Sequence, residues 1–158
     1  MELSPAQRRT DHTLMREIYR AYLGELSAIT DYTHKAIVLN PFYHTVAVLF
    51  AEISEDEMRH FTALGELLRD HGVSPVVDLH LRQTPIRLDG KNPAQSASLV
   101  RQILSKALAD EQQAVENYKR LAAWSRSTDM QRVLTAVSAD EARHTTALTA
   151  ALTRLERS

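Results

Sequence analysis

The chain has 158 residues, 44% hydrophobic and 25% charged, which suits one domain with a buried core and argues against disorder. A net charge of -1 gives no electrostatic ground for expecting nucleic acid or an anionic membrane surface as a partner. With no cysteine, disulfides, thiolate-held zinc, iron–sulfur clusters and a cysteine nucleophile are all excluded. The opening MELSPAQRRTDH lacks the apolar core of a signal peptide, and no apolar run is long enough to span a bilayer. The expectation is a soluble, cytoplasmic protein.

Only 4 glycines and 5 prolines punctuate the sequence, so long helices are expected rather than a turn-rich β fold. A first helix is predicted over about 11–39, where Leu14, Ile18, Ala21, Ala28, Ile29, Tyr32 and Ala36 recur at helical spacing. Asn40-Pro41 interrupts it, because proline removes a donor and biases its predecessor away from helix. A second helix over about 42–71 carries Val46, Phe50, Ile53, Leu64, Leu67 and Leu68, and His71-Gly72 ends it as a glycine cap. Residues 73–93 hold three prolines and Gly90, which predicts an extended surface crossover. A third helix follows over about 94–124. The polar turn SRSTD, with Thr128 or Asp129 as N-cap, opens a fourth over about 129–156. Short connections make antiparallel pairs, and the long one lets helices two and three run parallel. Residues 1–158 are thus expected to be one all-α domain, a four-helix bundle with one long crossover.

The halves of the chain resemble each other. FAEISEDEMRHFTAL (50–64) lies over LTAVSADEARHTTAL (134–148) with 8 of 15 positions identical. ELSAITDYTHKA (25–36) lies over EQQAVENYKRLA (111–122), keeping Glu, Ala, Tyr and a later Ala. The chain reads as a duplicated helical hairpin.

The repeated polar residues are the informative ones. Positions three or four apart share a helix face. Glu57 therefore lies with Ile53, His60 and Leu64, and Glu141 with Val137, His144 and Leu148. On the first helix Glu25 aligns with Ala28, Ile29 and Tyr32; on the third, Glu111 aligns with Ala114, Val115 and Tyr118. Glu52 and Glu55 point elsewhere, about 140° and 200° round from Glu57. Four glutamates and two histidines thus converge on one core, with no Lys or Arg expected on the same faces. Buried carboxylates without compensation cost several kcal/mol each. Two divalent cations, each taking a histidine nitrogen and carboxylate oxygens, would compensate them. One Glu-x-x-His is unremarkable: 11 glutamates and 7 histidines supply about half of one by chance. Two, at matching places in a repeat and each preceded by a helix with an inward glutamate, are not.

At these residues the chain resembles the ferritin-like superfamily of dinuclear carboxylate bundles, in particular its bacterioferritin and rubrerythrin branches. GELSAITDY resembles the first ligand helix, DEMRH the second and DEARH the fourth. The resemblance implies that Glu57 and Glu141 bridge two ions, that Glu25 and Glu111 are terminal ligands, and that His60 and His144 serve the Glu25 and Glu111 ions respectively. It also implies that Asp56 orients His144, that Asp140 orients His60, and that Tyr32 and Tyr118 bring hydroxyls near the carboxylates. Arg59 and Arg143 read as surface salt bridges.

Two iron ions per chain are the implied cofactor, with manganese or zinc as alternatives. The implied activity is an oxidoreductase acting on O2 or H2O2, ferroxidase-like with Fe2+ as substrate or peroxidase-like. A dimanganese catalase-type enzyme, a non-enzymatic metal binder and a metal-free interaction bundle are the rivals. Departures from the resemblance are informative. Without Cys there is no rubredoxin centre. Ala114 replaces the extra third-helix glutamate of rubrerythrins, and too few residues follow His144 for a fifth helix. A homodimer is therefore expected rather than a 24-subunit cage. Met58 stands where bacterioferritins place a haem ligand, but packing is the expected role and haem is not expected. His34 should face outward; His12, His44, His71 and His80 fall at helix ends or in the crossover, and Trp124 should serve packing.

Overall fold

The computed structural model describes residues 4–157. Helix α1 spans Pro5–Leu39, α2 His44–Asp70, α3 Pro93–Trp124 and α4 Thr128–Glu156, with no strand among the described residues. The architecture is an all-α four-helix bundle with one long crossover between α2 and α3.

Caps explain where the helices start. α1 begins six residues before the expected Asp11, because Ser4 and Gln7 form a reciprocal capping box and Pro5 sits in the first turn. α2 begins at His44, not Phe42, since Asn40 to Tyr43 close a turn onto Leu39. Asn92 caps α3 ahead of Pro93, accepting from the Gln95 amide at 3.1 Å. The α4 cap is Ser127, which accepts from Met130 N–H at 3.3 Å; Thr128 and Asp129, the expected candidates, lie inside the first turn. Gly72 is the one glycine the backbone demands among the described residues. At φ +77° it closes α2 with Gly72 N–H to Arg69 O and Val73 N–H to Leu68 O, the paired bonds of a Schellman motif.

Two apolar clusters show how the helices run. One joins Leu14, Ile18 and Tyr22 of α1 to Leu64, Leu67 and Leu68 of α2, Tyr118 and Leu121 of α3, and Met130, Leu134 and Val137 of α4. The other joins Tyr32 and Leu39 to Val46, Phe50 and Ile53, then Val100, Leu104 and Ala107, then Leu148. The end of α2 and the end of α3 share the first cluster, and their starts share the second, so these two helices are parallel. Fully burying each such aliphatic side chain stabilises the fold by about 1.5–3 kcal/mol. The polar residues of the repeat occupy the layer between the clusters.

The crossover returns along α1. Tyr19 and Tyr22 hydroxyls donate to Val76 O at 2.9 Å and Pro75 O at 2.8 Å. Gln83 Nε2 donates to Thr30 O at 2.7 Å, and Ser96 Oγ donates to Asp89 O at 2.9 Å. His34 lies one turn after Thr30 on α1. It is half-buried rather than outward, and its Nε2 is shielded with no hydrogen-bond partner.

Candidate dinuclear metal centre

All six convergent residues are buried: Glu25 is 5% exposed, Glu57 2%, His60 2%, Glu111 4%, Glu141 2% and His144 4%. Each helix contributes through its inward stripe. The Glu-x-x-His spacing puts both side chains of α2, and both of α4, one above the other. His60 Nδ1 lies 3.0 Å from Glu57 Oε2, 3.3 Å from Glu141 Oε1 and 3.8 Å from Glu25 Oε2. His144 Nδ1 lies 3.0 Å from Glu141 Oε2, 3.3 Å from Glu57 Oε1 and 3.3 Å from Glu111 Oε2. Glu57 and Glu141 thus each present one oxygen to either side, while Glu25 faces only His60 and Glu111 only His144.

The far side of each imidazole is held across the repeat. His60 Nε2 meets Asp140 Oδ2 at 3.1 Å, and His144 Nε2 meets Asp56 Oδ2 at 2.9 Å. An ionised carboxylate only accepts, so Nε2 carries a proton and Nδ1 is the nitrogen turned to the glutamates. The aspartates are themselves steadied: Arg59 pairs with Asp56, and Arg143 with Asp140 at 2.5 Å. The tyrosines also cross. Tyr32 Oη donates to Glu111 Oε1, and Tyr118 Oη to Glu25 Oε1. Burial, with Glu111 beside one ring and Glu25 beside the other, pushes both phenols above their usual range and keeps them donors.

In the absence of bound cations, protons must balance the charge. Burial alone would lower His60, but hydrogen bonds to Glu141, Glu25 and Glu57 push it up to about 12. The same balance, with Glu111 leading the carboxylates, pushes His144 up to about 11. Burial, helped by Glu57, raises Glu25 to about 8; burial, helped by Glu141, raises Glu111 to about 6. Burial also works against Glu141, yet both imidazoles hold it below the usual range. One proton on each Nδ1 cannot serve three carboxylates, and Glu57 Oε1 is left buried with no hydrogen-bond partner. Divalent cations fit what protons cannot satisfy. Glu25, Glu57, His60 and Glu141 form one set that could hold an ion, and Glu57, Glu111, Glu141 and His144 the other, with donor atoms within 4.8 Å of one another in each.

Residues 18–158 match the family model described as Ferritin-like domain. The chain belongs to the ferritin-like family. A structure of a dodecameric thioferritin, the bacterioferritin-related protein of Bacteroides fragilis, superposes with a TM-score of 0.76 at 19% identity, covering 92% of this chain and 88% of that one. Mycobacterium tuberculosis bacterioferritin BfrA superposes with a TM-score of 0.74 at 19% identity, covering 99% of this chain and 90% of that one. These likenesses show a shared fold. No curated protein sequence matches the chain.

Other features of the chain depart from the sequence expectation or go beyond it. One cation does reach the inward side: Lys35 is 7% exposed. It lies three residues after Tyr32, near the edge of the inward arc, and its long stem buries while the head finds Asp31 Oδ2 at 2.5 Å. Ser54 and Ser138 were not singled out, although both are identities of the repeat. Ser54 Oγ donates to Ile29 O at 3.1 Å and Ser138 Oγ to Val115 O at 3.0 Å, equivalent bonds that tie each hairpin together beside the site. His12, His44, His71 and His80 are exposed and away from the centre, as are Glu52 and Glu55. Met58 is 49% exposed, and Trp124 packs against the first apolar cluster.

Proposed function

We propose that this ferritin-like protein binds two iron ions per chain and acts as an oxidoreductase on O2 or H2O2, ferroxidase-like with Fe2+ as substrate or peroxidase-like. The observation that carries this reading is the sharing of Glu57 and Glu141 between two donor sets, which suits two adjacent ions rather than two separate sites. In this reading Glu57 and Glu141 would serve both ions, Glu25 and Glu111 would each serve one, and His60 and His144 would each give Nδ1. Two iron ions held there would supply the electrons that reduce the oxidant.

The chain's own residues do the rest. Asp140 and Asp56 fix the imidazole tautomer and aim Nδ1 at the ions. Tyr118 and Tyr32 pin one oxygen of each terminal carboxylate and leave the other for an ion. The two apolar clusters exclude water above and below the layer. A cavity of about 940 Å³ between α1 and α3 reaches all four glutamates and gives Fe2+ and a small oxidant their way in. Imidazole and carboxylate donors also accept manganese or zinc, so the metal decides between this chemistry, a catalase-type reaction and binding alone.

Elemental analysis of protein prepared without chelators should give two ions per chain, and Fe2+-loaded protein should oxidise iron on addition of O2 or H2O2. Two ions without turnover would support a metal binder instead. Unchanged metal content in Glu25→Ala and Glu111→Ala would refute the ligand assignment. The proposed assembly is homo-oligomeric. A sequence expectation of a dimer stands beside a dodecameric relative, and the measured mass in solution decides between them.

A further inference from the structure

The two halves of the centre share the same set of donor residues, which makes a difference beside it informative. Tyr32 and Tyr118 are equivalent in the repeat, as are Glu25 and Glu111, Ser54 and Ser138, Asp56 and Asp140. Around Tyr32, however, the first hairpin places Asp31, Lys35 and Phe50. The second hairpin has Asn117, Leu121 and Leu134 at the corresponding positions. Lys35 Nζ lies 4.9 Å from the centroid of the Tyr32 ring and 5.5 Å from that of Phe50, and the two rings stack 5.5 Å apart. At the places around Tyr118 no residue carries a charge: Leu121 and Leu134 are fully buried hydrocarbon, and Asn117 is a neutral amide.

The charges here do not simply cancel. The Lys35 side chain is 9% exposed and that of Asp31 46%, so solvent screens the anion more than the cation. The pair acts as a short dipole with its positive end turned inward. A dipole fades faster with distance than a lone charge, so it is felt most by the ring it touches. A cation over a phenol ring draws electron density from it and makes the hydroxyl a stronger donor. Tyr32 gives that hydroxyl to Glu111 Oε1, whereas Tyr118, under no such charge, gives its own to Glu25. Asp110 also lies close enough to Tyr32 to oppose the effect, but it is 54% exposed and paired with Lys106 at 2.6 Å.

We infer that Lys35 is a positioning residue that makes the two metal sites unequal, weakening Glu111 as a donor and lowering the cation affinity of the Glu111–His144 site relative to the symmetric arrangement. This inference rests on the dinuclear reading above. A near-symmetric pair of cages would fill at random; with Lys35 acting on one cage, a small cation has a preferred order of occupancy.

The test uses Zn2+, which is redox-inert, titrated into metal-depleted full-length protein while the ring resonances of His60 and His144 are followed separately. The double variant Asp31→Asn with Lys35→Leu copies the second hairpin into the first. It should tighten Zn2+ at the His144 site about fivefold and leave the His60 site within about twofold, the scale of one cation–ring contact. Asp31→Asn alone keeps the cation and removes its counter-charge. It should weaken the His144 site by a similar factor, and it alters an exposed group, so it tests the idea even where the double variant folds poorly. Equal shifts at both histidines, or none at either, in protein that still binds two Zn2+ would overturn the role of Lys35 and leave the dinuclear reading standing. Fewer than two Zn2+ in the unaltered protein would overturn both.

Discussion

Free of metal, this protein should show an unusual pH dependence, in which it loses stability as the solution becomes less acidic. The cause is the set of groups whose folded values lie above their unfolded ones. Glu25 is held at about 8 against an ordinary 4.5, and Glu111 at about 6. His60 and His144 are held at about 12 and about 11 against 6.5. Where the folded state keeps protons that the unfolded chain has released, stability falls with rising pH at about 1.4 kcal/mol per pH unit per proton. Each raised group contributes its stability below its unfolded value and loses it on the way up to its folded value. From about pH 5.5 to about pH 7.5 Glu25 alone accounts for a loss of about 3 kcal/mol. Glu111 and the two imidazoles act in the same direction. For a chain of this size 3 kcal/mol lowers Tm by about 6–12 °C. Calorimetry or circular-dichroism melts of chelator-treated protein at the two pH values measure the change. Glu25→Gln, which carries no proton to lose, should flatten the curve. A Tm that stays constant or rises across this window would refute the electrostatic reasoning. Adding Zn2+ should reverse the trend, because the ions displace the imidazole protons and bind more tightly as pH rises.

Asp56→Asn should lower Zn2+ affinity at the His144 site by about 10–100-fold, and Asp140→Asn should do the same at the His60 site; calorimetric titration reads both, and unchanged affinity would detach the aspartates from the centre. Gly24→Ala should raise stability by about 0.5–1 kcal/mol, since a Cβ there has nothing within 4 Å and alanine favours the helix, as chemical denaturation would show. Gly72→Ala should lower stability by about 1–2 kcal/mol in the same assay because its φ is positive. Phe50→Ala should remove about 3–5 kcal/mol, as its ring is fully buried against Tyr32.

Much of this fold was legible because the repeat doubles every signal. The stripes of Val46, Phe50 and Ile53, or of Val137 and Leu148, read as inward faces, and those faces carried Glu57, His60, Glu141 and His144 with them. Helix starts were harder. Ser4 and Ser127 act as caps through hydrogen bonds to amides three residues on, and several Ser, Thr and Asp residues near each start compete for that role. The crossing of Tyr32 to Glu111 and Tyr118 to Glu25 was beyond reach of one-dimensional spacing, because it depends on which helices face each other across the layer. Lys35 was missed for a different reason. Its Cα is near the edge of the inward arc, and only the length and flexibility of its stem decide that the head turns in.

The crossed contacts have a consequence for how such a chain could arise and be taken apart. Tyr32 reaches Glu111, Tyr118 reaches Glu25, His60 reaches Asp140 and His144 reaches Asp56, so each hairpin finishes the other. Neither is complete by itself, yet a hairpin paired with a copy of itself would satisfy every one of these contacts. The duplicated chain is a homodimer written into one polypeptide, and the crossover is the covalent seam. Among the described residues, that seam forms no backbone–backbone hydrogen bond from residue 74 to residue 88. Cut there, the molecule should behave as two fragments that find each other again, with the layer of crossed polar contacts as the joint.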